Sequence, residues 1–280
     1  MSVFAGQIVF ITGAGSGIGR GIAEELGRRG AVIIATDRDG ASAERVASGI
    51  RGAGGRAEWK TLDVTRAADV QAAVVETARS HGRLDYIFNN AGVGFSGEMR
   101  DTTLDQWRAV LDVNVHGVIH GIHAAYPIMV KQGSGHIVNT ASLAGLVIAP
   151  AMGPYAASKH AVVGITRALR AEGEALGVKV TALCPSFVDT AVYENAIVAG
   201  VAGVAGRTTR ALVPFAMIPL DEAVQLLIRG IEKNEELVVI PRFARTLWWI
   251  TRLMPWVARD TARKTMAVFR RKQRAGGETG

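Results

Sequence analysis

The chain has 280 residues, of which 49% are hydrophobic and 20% charged, enough apolar material for a packed core and a composition that excludes a disordered chain. One cysteine, Cys184, leaves no partner for an intramolecular disulfide; with an opening segment unlike a signal peptide, this leads us to expect a cytoplasmic protein. The formal charge is +7, but ten basic and two acidic residues fall in 241–280, so the tail carries +8 and the preceding 240 residues carry −1.

In chain order, β-branched and apolar runs at 7–12, 31–36, 57–62, 84–88, 136–140, 178–183 and 237–240 read as strands. Most are apolar on both faces, as in a parallel sheet covered by helices on both sides. Amphipathic stretches at 18–29, 40–51, 67–81, 104–131, 155–176 and 221–233 are long enough for crossover helices. The alternation predicts an α/β fold: a single doubly wound, Rossmann-type parallel sheet over residues 1–240, helices on both faces. Within it, residues at about 190–219 are expected to form a lid. The longest uncharged stretch, 137–158, contains Asn139, Ser142, Pro150 and Pro154, so no membrane span is predicted.

The first strand runs directly into Thr12-Gly13-Ala14-Gly15-Ser16-Gly17-Ile18-Gly19 and then a helix. A nucleotide pyrophosphate needs backbone N–H groups at a positive helix end with no Cβ in the way, which such a turn supplies. Gly13, Ser16, Gly17, Ile18 and Gly19 are therefore candidate phosphate-binding residues, although a tight turn without a ligand would carry the same glycines. Asp37, at the end of the second strand, can accept hydrogen bonds from an adenine ribose and repel a 2′-phosphate, which favours NAD. Arg38 beside it could pair with that phosphate instead, and keeps NADP open.

Tyr155 and Lys159 are one helical turn apart. An ammonium near a phenol stabilises the phenolate, which a tyrosine general base requires. The same spacing also describes an aromatic packed beneath a surface lysine. Ser142 follows the strand at 136–140, at the sheet edge where open α/β folds place ligands.

Over residues 5–240 these motifs together resemble the classical short-chain dehydrogenase/reductase family. Thr12 to Gly19 resembles its TGxxxGxG turn, Asp63-Val64 its adenine-contacting pair, Asn89-Asn90-Ala91-Gly92 its NNAG segment, and Asn114 its helix-interrupting asparagine. Ser142 with Tyr155-Ala156-Ala157-Ser158-Lys159 resembles its active site. The resemblance implies a catalytic set of Asn114, Ser142, Tyr155 and Lys159. It further implies an oxidoreductase that transfers a hydride between NAD (or NADP) and an apolar secondary alcohol or ketone. Tyr155 would move the proton, Ser142 would hold the oxygen, Lys159 would bind the nicotinamide ribose and lower the tyrosine pKa, and Asn114 would position a relay water through its side chain or its break in the helix. Asp63, Val64, Asn90, Ala91, Gly92, Pro185, Val188 and Thr190 would complete the cofactor site, with Ser186 standing where the family usually has glycine. An NADPH-dependent carbonyl or ketoacyl reductase is the alternative chemistry, and a nucleotide-sensing scaffold at a membrane surface the non-enzymatic one.

Phe95, Leu143, Met152 and Tyr193 are candidate lining residues of an apolar substrate pocket. A homodimer or homotetramer is implied by the family, although residues 238–242 read Val-Val-Ile-Pro-Arg where tetrameric members carry Val-Asp-Gly-Gly and stop. His116, His120 and His123 could suggest a metal face, but no cysteine or carboxylate at ligand spacing joins them and no metal is expected. In the basic extension 241–280, apolar Phe243, Leu247, Ile250, Met254 and Val257 form a helical stripe bordered by Trp248, Trp249 and Trp256, with Pro255 expected to kink or restart the helix. Such a helix suits either an anionic membrane surface or docking on the enzyme's own body or a second subunit. The near-neutral body offers no extended basic surface, so nucleic acid is not an expected partner.

Overall fold

The computed structural model describes residues 2–190, 196–199 and 217–277, the last six of these without their side chains. Apolar runs form strands β1 (Ile8–Thr12), β2 (Val32–Asp37), β3 (Arg56–Thr61) and β4 (Tyr86–Asn89), joined through helices α1 (Gly17–Arg28), α2 (Gly40–Gly52) and α3 (Ala67–His81). A short strand β5 (Phe95–Ser96), helices α4 (Leu104–Leu111) and α5 (Gly117–Gln132), strand β6 (Gly135–Thr140), helix α6 (Gly153–Gly173) and strand β7 (Val178–Pro185) follow. Beyond the short strand β8 (Ile197–Val198) come helix α7 (Leu220–Glu232) and strand β9 (Leu237–Ile240). Seven strands make one sheet in the order β3-β2-β1-β4-β6-β7-β9, and every pairing in it is parallel.

The period-2 alternation of β1 assigns its two faces. Val9 and Ile11 share a cluster with Ile22 and Leu26 of α1 and Leu227 and Ile228 of α7. Ile8 and Phe10 share the other with Val70 and Val74 of α3 and Ala124 and Met129 of α5. The order reverses between β1 and β4, so their carboxyl ends open a crevice where ligands bind in sheets of this kind.

The stretch 104–131 is interrupted by a π turn at Asp112–His116, centred on the buried Asn114, where the family resemblance places its helix-interrupting asparagine. Two local differences from the sequence reading have physical causes. β4 begins at Tyr86 because Leu84 gives its N–H to the Gln132 side chain at 2.8 Å instead of to a strand. β5 and β8 pair with each other as a separate two-stranded sheet, Phe95 opposite Ile197. Of the expected lid, 191–195 and 200–216, Tyr193 included, lie outside the described residues.

The extension is helical: α8 (Arg242–Leu253) and α9 (Pro255–Gly277). Pro255 opens α9, where its missing N–H costs nothing. The buried face of α8 differs from the predicted stripe. Ala244, Leu247 and Trp248 pack with Val239 of β9, Cys184 of β7 and Val163 of α6, whereas Phe243, Ile250 and Met254 are 40%, 37% and 41% exposed. α8 follows β9 with only Pro241 between them, so the strand sets the rotation of the helix and turns this neighbouring row inward. At the far end of α9, Arg270 forks onto Glu98, Nη2 to Oε2 at 2.7 Å and Nε to Oε1 at 3.2 Å. Docking of the tail on its own body is thus present. No helix among the described residues is long and apolar enough to cross a membrane.

Candidate active site

The glycine turn rests on β4 through a small polar scaffold. Thr12 at the end of β1 donates its hydroxyl to the Phe88 carbonyl (3.2 Å) and accepts the N–H groups of Asn90 (3.0 Å) and Ala91 (3.1 Å). Asn90 returns its side-chain amide to the carbonyls of Thr12 and Gly13, both at 3.1 Å, and its oxygen accepts the Thr140 hydroxyl at 3.2 Å. Gly13 has a φ of +64° and a Cβ there would stand 2.8 Å from the Ala91 Cα, while a Cβ on Gly19 would strike the Gly13 carbonyl and the Asn90 amide. These glycines are required by the scaffold itself. Gly17, φ +51°, opens α1, and Ser16 at its N-cap makes no side-chain capping bond, so the first-turn N–H groups face the crevice without a protein cap.

Asp37 closes the far side. Its carboxylate accepts the N–H groups of Gly15 (3.0 Å) and Asp39 (3.1 Å), and Arg38 next to it is exposed. Asp63 accepts both the N–H (2.9 Å) and the hydroxyl (2.8 Å) of Thr65; the Thr65 N–H, with the nearby Arg38 charge, holds its carboxyl below the usual range. Val64 is buried, and its carbonyl is 2.8 Å from Nδ1 of His120. His116, stacked on His120, reaches Asp112 at 3.0 Å, so a carboxylate does stand one helical turn from the histidines, contrary to the sequence reading; among the described residues no three such groups gather to hold a metal.

Ser142 follows β6 and caps a short turn, its hydroxyl oxygen accepting the Ala144 N–H at 3.2 Å. Pro154 stands in the first turn of α6, and the four-residue spacing sets Tyr155 and Lys159 on one face. The Lys159 ammonium lies 5.6 Å from the centre of the Tyr155 ring and donates to the Thr140 carbonyl at 2.8 Å. Lys159 is buried, and desolvation brings its pKa down to about 8. Burial pushes the Tyr155 phenol up, and the hydrogen bond with Ser142 opposes that rise. Ser142 thus bears on the phenol directly, while the Lys159 ammonium beside the ring is engaged with the Thr140 carbonyl.

Asn114 is fully engaged. Its oxygen accepts the Val93 N–H at 2.8 Å, and its amide donates to the Val93 carbonyl (3.0 Å) and the Ser158 hydroxyl (3.1 Å). Ser158 in turn donates to the Tyr155 carbonyl at 2.7 Å. This asparagine ties the segment after β4 to the helix that carries Tyr155. A Cβ on Gly92 would lie 3.2 Å from the Asn114 oxygen and 3.5 Å from the Lys159 ammonium, so the NNAG segment and the Tyr-Lys helix meet here.

Pro185 ends β7, its carbonyl 3.5 Å from the Ser142 hydroxyl. Ser186 fits where glycine is usual: its φ is not positive, and its N–H donates to the Ile240 carbonyl at 2.9 Å. Its hydroxyl is buried without a hydrogen-bond partner among the described residues. Val188 is bridged to Ile218, and the Thr190 side chain stands 3.5 Å from where a Cβ on Gly17 would be. Among the candidate pocket residues, Phe95 packs in one cluster with Val110, Ala199 and Tyr155, and the Met152 backbone bridges Gly97. Leu143 belongs to a different cluster, with Val162, Val163 and Cys184 beneath α6. Leu143 and Phe95 are both buried, and what sets them apart is the neighbour: Phe95 packs against Tyr155, Leu143 against the inner face of α6. Cys184 is also buried there, which pushes its thiol up to about 12. The scaffold hydroxyls of Thr12, Thr140 and Ser158 have roles that sequence alone left unassigned. A threonine at a strand end before a glycine turn was their one visible signal.

The family model described as short chain dehydrogenase matches residues 7–198. The chain is 34% identical over 267 residues to "Probable oxidoreductase EphD" of Mycobacterium tuberculosis, covering 93% of this chain and 45% of that protein, so it spans about half that relative's length. Among solved structures it is similar to a short chain dehydrogenase/reductase from Burkholderia phymatum in complex with NAD, with a TM-score of 0.82 and 32% identity over 90% of this chain and 95% of that one. It is similar as well to a short-chain dehydrogenase from Sphingobium yanoikuyae in complex with NADPH, with a TM-score of 0.75 and 29% identity over 94% of this chain and 95% of that one. Since the match runs through the glycine turn, the NNAG segment and the Ser142, Tyr155 and Lys159 group alike, the chain belongs to the short-chain dehydrogenase family.

Proposed function

We propose that the protein is an NAD-preferring oxidoreductase that interconverts an apolar secondary alcohol and its ketone. The observation that carries this reading is the convergence of Ser142, Tyr155 and Lys159 at the carboxyl end of β6, beside a glycine turn whose cradle leaves N–H groups free. The residues fit a dinucleotide: uncapped first-turn amides of α1 for the pyrophosphate, Asp37 for the adenine ribose, and Asp63-Val64 beside the adenine. Gly92, Lys159, Pro185, Val188 and Thr190 would flank the nicotinamide end. When bound, the nicotinamide accepts hydride from the carbinol carbon or returns it to the carbonyl carbon.

This chain's residues handle the proton. Ser142 holds the substrate oxygen and keeps it against the Tyr155 hydroxyl. In the reductive direction Tyr155, a phenol by virtue of its burial, gives its proton to the forming alkoxide. In the oxidative direction it must first lose that proton, and Lys159, turning from the Thr140 carbonyl, stabilises the phenolate. Because both Asn114 amide hydrogens are donated and its oxygen already accepts the Val93 N–H, we assign the route to solvent to backbone groups of the π turn it sits in. The cluster of Phe95, Val110 and Ala199 against Tyr155 supports an apolar substrate. Exposed Arg38 favours a second reading, an NADPH-dependent carbonyl or ketoacyl reductase, which differs in the partner of the adenine ribose. A homodimer through α5 and α6 is proposed on family grounds; exposed Ile119 of α5 and exposed Ala157 and Gly164 of α6 offer the surface.

A panel of steroids, retinoids, fatty alcohols and short alcohols, followed by NADH absorbance, tests the reading. Tyr155→Phe should lower turnover by roughly 10²–10⁴-fold while NADH still binds. Undiminished turnover in that variant would sink the mechanism.

A further inference from the structure

Helix α8 carries large apolar side chains on two faces. Leu247 and Trp248 are taken up by the enzyme's own core. Trp249, Ile250, Leu253 and Met254 are 48%, 37%, 67% and 41% exposed, and Trp256, across the bend into α9, is 59% exposed. One apolar face suffices to dock a helix; the second lies in water. On the Trp248 side of the helix lies half-exposed Ile148, at a recess of about 410 Å³ of mixed lining that includes Val147, Trp248, His160, Thr251 and Arg252.

Charge surrounds this patch. Arg245 and Arg252 lie one helical turn either side of Trp249, and Arg259 lies one turn beyond Trp256. Arg245 has an exposed pair with Glu235 at 3.1 Å, and the nearby Asp260 is engaged with Lys264 at 2.7 Å. Arg242, Arg252, Arg259 and Arg263 have no carboxylate partner among the described residues. Guanidinium groups thus rim a surface of two tryptophans, a leucine and a methionine, on an extension that holds the whole positive excess of the chain.

We propose that the elbow between α8 and α9 is a docking surface for an anionic lipid bilayer, Trp249, Leu253 and Trp256 entering the boundary between headgroups and acyl chains and the arginines meeting lipid phosphates. Charge selects this occupant. A second copy meeting the patch about a two-fold axis would set arginine against arginine, and nucleic acid would leave Leu253 and Met254 in water. Arg270 on Glu98 anchors the other end of α9 to the body. This proposal goes beyond the oxidoreductase reading and is tested without substrate.

The experiment is co-sedimentation of the full chain with vesicles of phosphatidylcholine and phosphatidylglycerol, against phosphatidylcholine alone, with tryptophan emission as a second readout. The protein should pellet with the anionic vesicles only, with a blue-shifted emission, and be released by salt. Arg252→Gln/Arg259→Gln should weaken partition about 25-fold, fivefold for each arginine. Leu253→Ser/Trp256→Ser should weaken it about tenfold or more without moving the thermal midpoint, since both side chains are exposed. Wild type that stays in the supernatant, or pellets equally with neutral vesicles, overturns the proposal. So does a serine variant that changes the mass of the lipid-free protein in sedimentation velocity and leaves partition alone, which would make the elbow a subunit contact.

Discussion

Replacing Thr12 by valine keeps the shape of a side chain that is 2% exposed and deletes the hydroxyl alone. The bond to the Phe88 carbonyl is lost, and the N–H groups of Asn90 and Ala91 lose their acceptor. Each net hydrogen bond contributes about 0.5–1.5 kcal/mol, and the two N–H groups are only partly shielded from water, so the sum is about 3 kcal/mol. For a chain of this size that corresponds to a fall in Tm of about 5–10 °C. Loosening the floor of the glycine turn should also weaken NADH binding, beyond what the stability loss explains at a temperature where the variant is folded. Thermal unfolding by circular dichroism and titration of NADH fluorescence measure the two effects. Thr12→Ser is the control: it keeps the hydroxyl and loses one methyl, about 0.8 kcal/mol. If valine were tolerated within 0.5 kcal/mol, or serine proved the worse of the two, the hydroxyl would not be what joins β1 to β4.

His136 lies in the core, 2.9 Å from the Thr181 hydroxyl, and desolvation holds its pKa down to about 3 from 6.5. The unfolded chain takes up a proton there that the folded one refuses, so stability is full above 6.5 and falls by roughly 1.4 kcal/mol per unit as pH drops from 6.5 towards 3; urea midpoints across that range should show a shallower slope in His136→Gln. Asp37→Ser should weaken NAD by about tenfold or more and narrow the gap to NADP, and calorimetric titration of both cofactors would expose an unchanged ratio. The Glu98 carboxyl is held below the usual range, first by the Arg270 hydrogen bond. That contribution is present above the ordinary carboxylate value and lost as pH falls through the lowered one, so Arg270→Met at neutral pH should speed tryptic cleavage in α9, and acid should speed peptic cleavage there; equal cleavage rates would refute the tether.

Much of the site was legible because its chemistry fixes residue types at fixed intervals. The glycine turn, Asp37, Ser142 and the Tyr155–Lys159 pair stand where strand and helix periods place them. What escaped has no period to show. β5 and β8 are two residues each, and pairing Phe95 with Ile197 depends on chain more than a hundred residues away. The π turn adds one residue to a helical turn without changing composition, so Asn114 was visible only as a family feature. The rotation of α8 was decided by its junction with β9, a tertiary constraint that a helical stripe cannot encode. Leu143 follows Ser142 directly, yet packs beneath α6, since neighbours at the start of a 3₁₀ turn point in different directions.

The tie between Arg270 and Glu98 joins the far end of the chain to the segment that carries Phe95. An appendage that merely trailed from the last strand would be free to drift in sequence. This one crosses back to the loop after β5, so a change in α9 that loosens the tie is felt more than 170 residues earlier in the chain, in the segment packed against Tyr155.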